Sequence, residues 1–531
     1  MLSQAIYPYV KLLNKIPGPN GFPVFGCSFI GLLTPRDKML ALYENFFDTF
    51  GHVVRAWAGP IGVVFIGGAE GAQAVLSPTI NIEKSFQYEF FKPWLGSGLL
   101  ISHGQKWHSR HRLLRPAFHS TILEKFFDTI VKNSELLIRE LESETNAQEF
   151  DITPYLKECS LHNICETAMG VKMHEEVNLK KNYLKSVQTY SETFYERMMN
   201  PFLYPTILFS LSSTYRRQKE AVKILHNMSM NVIKKRIAER RLQRENARVN
   251  KNSKSEGFSK KKEFLDVLLD ISERDDNEFT TDDVREEVDT FLLGGHNTVS
   301  MTLYWTIYLV GLHPDIQEKV HTEVDDILRS AEAPKDTKML QELHYLECVI
   351  KESLRLYPPI PLIGRTLGED VVINDFKIPA GNWVAVHIHQ IHRLREHYHN
   401  PNEFDPSHFF PENSRDRYPF AYLPFSGGPR NCLGQKFAMM ELKIVLATFF
   451  KHYEVKSLTK QEDMKVLLDA VIRPENGIWI VSIFGQLTQF SSRCPNFLPD
   501  VSIFVQLSQY SSSCLIFRPV VSIFVQLSQF F

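Results

Sequence analysis

The sequence predicts a mainly α-helical protein with a small β-rich lobe, an α+β arrangement. Three observations carry that expectation. Helical periodicity dominates from about residue 105 to 355, and a β-rich stretch follows at 371–388, joined by strand-like runs before residue 67. Hydrophobic residues are 44% of the 531 and charged residues 23%, enough for a large core and too apolar for global disorder. A net charge of −1 excludes nucleic acid as the expected main partner. The seven cysteines are sparse, odd in number and contain no C-x-x-C pair, which points to a reducing compartment and away from a disulfide framework or zinc site.

Taken in order, residues 1–16 are moderately apolar but interrupted by Lys11 and Lys15, and Pro17-Gly18-Pro19 separates them from the body of the chain. They read as a short leader, a candidate truncated membrane anchor. Val53–Trp57 and Val63–Ile66 read as strands. Residues 244–262, basic and poor in aliphatics, read as a mobile surface linker. A long helix is expected over Thr281–Leu312: Thr280 and the acids after it supply the start, and Pro314 the stop. Another is expected over 339–357, ended by Pro358-Pro359. Val371–Ile373 and Phe376–Ile378 flank an Asn374-Asp375 turn, and Trp383–Ile388 adds a further strand. Met439, Leu442, Val445 and Leu446 recur at helical spacing, so 434–450 reads as helix. The tail, 481–531, carries a strand-prone segment three times at a period of twenty residues, with no chemistry visible in it.

The chemistry concentrates in Phe425-Ser426-Gly427-Gly428-Pro429-Arg430-Asn431-Cys432-Leu433-Gly434, the pattern F-x-x-G-x-R-x-C-x-G. From residue frequencies the odds of a chance match are roughly one in ten thousand, so a plain buried cysteine is the poorer reading. One thiol stands in a glycine-rich loop before a helix, whose start favours a thiolate. Arg430 is placed for a carboxylate such as a haem propionate, Phe425 for shielding the sulfur, and Gly428 and Gly434 for close backbone approach. A thiolate on haem iron favours O–O cleavage over oxygen storage.

On these residues the chain resembles the cytochrome P450 family of haem-thiolate monooxygenases, and most of all the family-four members of insects. The resemblance covers residues 17–480 and implies the P450 fold, with haem b between the long central helix and the cysteine loop. Cys432 would ligate the iron. Glu352-Ser353-Leu354-Arg355 matches the family's E-x-x-R, whose acid and arginine support the cysteine loop. The third member of that network, an arginine, is replaced here by His408, which implies a weaker, pH-dependent contact and a less tightly held haem. Trp107 and Arg365 match propionate contacts, and His111 stands where the family has an arginine, with Arg110 and Arg112 beside it. Thr298 matches the threonine facing the oxygen site; Asn297 replaces the usual acid and cannot titrate, which implies slower, leakier turnover. Gly294 replaces a glutamate able to form a haem ester, so the haem is expected to be non-covalent.

The resemblance further implies electrons from NADPH through a flavoprotein reductase, with cytochrome b5 as a second donor. It implies an apolar substrate (a fatty acid, other lipid, terpenoid hormone or foreign compound) and residence on the cytosolic face of the endoplasmic reticulum membrane. Two rivals stay open at this level. One is an oxygen-independent haem-thiolate isomerase or dehydratase, which Asn297 permits and Thr298 opposes. The other is a degenerate haem-binding protein with impaired turnover, to which His111, His408, Asn297 and the repeated tail each lend weight.

Overall fold

Alternating β-branched residues build the first hairpin, β1 (Val53–Ala58) antiparallel to β2 (Ile61–Ile66), with Val54, Val64 and Ile66 buried. The computed structural model describes residues 9–21, 26–59, 61–144, 149–249, 263–273 and 279–484. The hairpin is extended by strands from far along the chain, β3 (Leu362–Thr366) and β6 (Trp383–His387). The order is β1-β2-β6-β3, with β2 and β6 parallel and the other pairs antiparallel. Between them β4 (Val371–Ile373) and β5 (Phe376–Ile378) form the expected hairpin. Its turn residues Asn374 and Asp375 both have positive φ, 47° and 64°, as a two-residue turn of that twist requires. Leu13 and Ile16 are buried in this lobe's core and Tyr9 donates to Asn382 (2.7 Å), so residues 9–16 of the expected leader are part of the packed fold.

The helical body contains α1 (Gly104–Leu114), α2 (Ser120–Glu142), α3 (Thr153–Thr167), α4 (Val177–Met199), α5 (Ser213–Val249) and α6 (Phe264–Ser272). The long central helix is α7 (Thr281–Leu292), a π-helical turn over Leu293–Asn297, and α8 (Thr298–Leu312). The expected start is a complete capping box: Thr280 Oγ1 accepts from the Asp283 N–H (3.2 Å) and Asp283 Oδ2 accepts from the Thr280 N–H (2.8 Å). After α9 (Pro314–Leu328) come α10 (Thr337–Glu342), α11 (His344–Leu356) and, beyond the sheet, α12 (Gln435–His452).

Two expectations are corrected. The linker over 244–262 is helix as far as Val249, because Arg240 and Arg244 of α5 pair with Asp270 of α6 and with Glu273 just after it (2.5 and 2.8 Å); 250–262 lie outside the described residues. The helix over 339–357 is two helices. The break at Leu343 is held by Glu323 of α9, whose carboxylate accepts the N–H groups of Tyr345 (2.6 Å) and Leu346 (2.8 Å) and so caps α11 from outside. The first compact unit of the chain ends at Ile483, and the repeats beyond Phe484 lie outside the described residues.

Candidate functional site

A cavity of about 540 Å³ separates the central helix from the cysteine loop. Its walls are mostly apolar, with Cys432 and Phe425 on one side and Asn297 and Thr298 on the other. Two residues bend the loop that carries the thiol: Ser426 at φ 62° and Gly428 at φ 69°. Glycine is needed at 428 for space as well, since a Cβ there would collide with the Leu76 carbonyl oxygen. The close approach is thus to protein backbone. The loop closes through the Cys432 N–H donating to Phe425 O (2.9 Å). Cys432 opens its thiol to the cavity and is the one exposed cysteine among the described free cysteines. Burial inside the molecule pushes the thiol up, and the N–H of Gly434 offered to the sulfur pulls it back.

Arg430 and Lys84 line the cavity, and Arg365 lies near enough to both to act on them electrostatically. Arg430 donates to Leu100 O (2.9 Å) and Ser102 O (3.0 Å) and lies over the Trp107 ring at 4.8 Å. Arg365 is fully buried on β3, and Lys84, over the Tyr88 ring, lines the cavity. Burial depresses all three; Arg430, further lowered by Arg365, falls to about 9, and Lys84 is held well below its usual range by burial and by both arginines. Among the described residues none of the three forms an ion pair with a carboxylate. Unpaired buried cations are costly, so this cluster calls for a bound dianion. Two propionates would meet that requirement, and the Cys432 thiol open to the same cavity would supply a ligand to the iron. These residues fit haem.

The neighbouring positions divide. His111 lines the cavity, stacked on Trp107 (4.9 Å), and is lowered by burial, Arg115 and Arg430. Arg110 turns the other way, into α7, where it pairs with Glu287 (2.9 Å) and Asp283; Arg112 is exposed. The shift of one residue along α1 decides this, as helix geometry requires. Nothing in the sequence marked Lys84, which reaches the cavity from a segment without motif character.

Behind the loop, Glu352 and Arg355 are both fully buried on α11. Arg355 makes two bonds to the Glu352 carboxylate (2.7 and 2.6 Å) and further bonds to the carbonyls of His392, Pro401 and Glu403. His408 occupies the third corner: Nδ1 lies 3.0 Å from Glu352 Oε1 and Nε2 2.6 Å from His399 O. Burial would raise the Glu352 carboxyl, but the bonds from Arg355 and His408 outweigh it and hold it low.

The central helix is distorted into a π turn at Leu293–Asn297, as the Gly294-Gly295 pair leads one to expect. A Cβ on Gly294 would meet open space, whereas one on Gly295 would strike Ile164 of α3. Thr298 Oγ1 donates to Gly294 O (2.7 Å), which leaves the hydroxyl oxygen free to accept.

A thiol presented to an apolar cavity beside an unpaired cation cluster defines a haem-thiolate protein. Comparison with known proteins agrees: the cytochrome P450 family model matches residues 16–481. Cytochrome P450 4V2 of Mus musculus is 39% identical over 435 residues, 82% of this chain and 83% of that protein. The Homo sapiens protein of the same name is 38% identical over 485 residues, covering 90% and 92%. Cytochrome P450 4c3 of Drosophila melanogaster is 37% identical over 478 residues, covering 88% and 89%. The chain belongs to the cytochrome P450 family and is a haem-thiolate monooxygenase that takes electrons from a redox partner and oxygenates an apolar substrate; neither rival reading gains support.

Proposed function

We propose that the substrate is a long-chain lipid, of the fatty-acid class or close to it, oxidised with electrons from NADPH through a flavoprotein reductase, with cytochrome b5 as an auxiliary donor. The observation that carries the substrate class is the cavity itself, extended from Cys432 to Met199 and Pro201 and lined mostly by apolar side chains. In this reading Cys432 would ligate the iron, and Arg430, Arg365, Trp107 and His111, joined by Lys84, would hold the propionates. Phe425 and the glycines at 428 and 434 keep the loop close and dry, and the unit spans residues 17–480. Haem bound through a thiolate supplies dioxygen binding and O–O cleavage. The residues opposite it manage protons: the Thr298 hydroxyl accepts a hydrogen bond and passes a proton on, while the Asn297 amide orients water without titrating.

The proposed location is the cytosolic face of the endoplasmic reticulum membrane. No helix among the described residues is long and apolar enough to cross a membrane. Leu33, Ile207 and Leu211 are 77%, 77% and 73% exposed, beside residues that line the cavity mouth, which supports membrane contact there and lipid access from it. A reduced, carbon monoxide-bound spectrum tests the ligand assignment: a red-shifted thiolate band is expected, and its loss in Cys432→Ser. Product analysis with a saturated fatty acid, NADPH and reductase tests the substrate; no oxygenated product in a preparation showing the thiolate band overturns that class.

A further inference from the structure

Helix α12 starts three residues after Cys432, and Phe437, Ala438 and Leu442 on it line the cavity. Between them stands Glu441, fully buried. Its Oε1 accepts from Asn163 Nδ2 of α3 (2.9 Å), and Asn163 Oδ1 accepts in turn from Asn133 Nδ2 of α2 (3.0 Å). Its other oxygen, Oε2, is buried without a hydrogen-bond partner, and the equally buried Ser160 hydroxyl, itself without a partner, lies close enough to act on the carboxyl.

Among the described residues no cation pairs with this carboxyl. Lys443 on the same helix turns to Leu340 O and Glu347 of α11, Lys451 to Asp325 of α9, and His452 to Glu332. His321 of α9 packs on Phe450. The titratable groups beside Glu441 are Cys159 of α3 and, beyond it, Glu140 of α2; both would be anions on ionising. A carboxylate held by one amide donor and one hydroxyl in such a place would be strongly penalised, whereas a carboxylic acid both accepts from Asn163 and donates to Ser160.

We propose that Glu441 is a positioning residue that works as a neutral carboxylic acid, pinning the helix behind Cys432 to α2 and α3 through Asn163 and Asn133. Burial agrees, pushing Glu441 up to about 8, with Asn163 and Ser160 opposing in part. A carboxyl raised in the fold binds a proton that the unfolded chain has released. Its contribution is therefore full below the unfolded value, about 4.3, and is lost as pH rises toward 8. Only the spectroscopic arm of the test rests on Cys432 as haem ligand.

The experiment compares the full haem-loaded chain with Glu441→Gln and Glu441→Ala between pH 5 and 8.5. It follows thermal unfolding by circular dichroism and the carbon monoxide band. Glutamine keeps the shape and the neutral charge, so it is expected to preserve the thiolate band at every pH. The folding equilibrium of the wild type should fall relative to Glu441→Gln by up to about tenfold per pH unit between pH 5 and 8. Glu441→Ala should lose stability throughout and shift the band toward the non-thiolate form. Parallel pH profiles for wild type and Glu441→Gln overturn the proposal, as does a Glu441→Gln protein as damaged as Glu441→Ala at pH 6. Should Glu441→Ala not fold, the glutamine comparison decides alone. If wild type and variants all lack the thiolate band, the haem reading fails, while the unfolding profiles still decide the role of Glu441.

Discussion

His408 stands where an arginine completes the network behind the cysteine loop, and the structure turns that departure into a quantitative prediction. Both ring nitrogens face acceptors, Glu352 Oε1 at 3.0 Å and His399 O at 2.6 Å, so both bonds exist only when both nitrogens carry hydrogen. A charge-assisted bond contributes about 1.5–3 kcal/mol. If the loop's order is fully coupled to haem binding, losing one bond weakens haem retention roughly 10- to 100-fold, at about 1.4 kcal/mol per factor of ten. His408→Ala removes both bonds while Glu352 keeps those from Arg355 and the Asp405 N–H, a loss of about 1–3 kcal/mol in folding stability. His408→Arg restores a donor fork that cannot lose its proton. The assay is haem transfer to an apo-globin acceptor, beside urea unfolding. The expected result is slower haem loss in His408→Arg, because the guanidinium fork can donate at once to Glu352 and to the His399 carbonyl. Equal haem loss by the two proteins refutes the reasoning.

Asn297→Asp supplies a titratable group beside Thr298 and should lower the peroxide released per reductant consumed several-fold; unchanged leakage would mean that protons reach the site by another path. Gly294 offers no carboxylate for a haem ester, so acid–solvent extraction should remove the haem completely, and resistant haem would contradict this. Burial lowers His162, His387 and His392 to about 3 and His296 to about 4, in each as the largest cause. These rings stay neutral in the fold but charge in the unfolded chain below about pH 6.5. Stability is therefore full above that value and is lost as pH falls, by at most about 1.4 kcal/mol per pH unit for each ring. Urea midpoints measured at pH 7.5 and 5.5 should fall steeply on acidification; a flat profile would show the rings accessible to protons.

Some of this was legible in local sequence because its cause is local. The hairpin over 371–378 follows from two positive-φ turn residues, and the start of the central helix from Thr280 and Asp283. The π turn follows from adjacent glycines. The breaks and extensions were not legible, because their causes come from other elements. Glu323 caps α11 from α9, and acids in and just after α6 hold the end of α5 helical. Among site residues, a motif named the thiol, Arg430 and the Glu352–Arg355 pair. Lys84 belongs to no motif, and its charge acquires meaning only where Arg365 and Arg430 stand beside it, none of the three ion-paired to a carboxylate among the described residues.

By itself the sequence determined what the chain can ligate: a thiol in a glycine loop, a partner arginine, and a threonine after two glycines on a helix. Covalent spacing suffices for that, since each pattern fits within a few turns of backbone. Tertiary structure decided which of the candidates meet. It sent Arg110 to Glu287 and His111 to the cavity, and it gave His408 two acceptors in place of one. It also buried Glu441 against the Asn163 amide, with no cation paired to it among the described residues. Charge and protonation depend on burial and on partners distant in sequence, and only the folded chain brings those together.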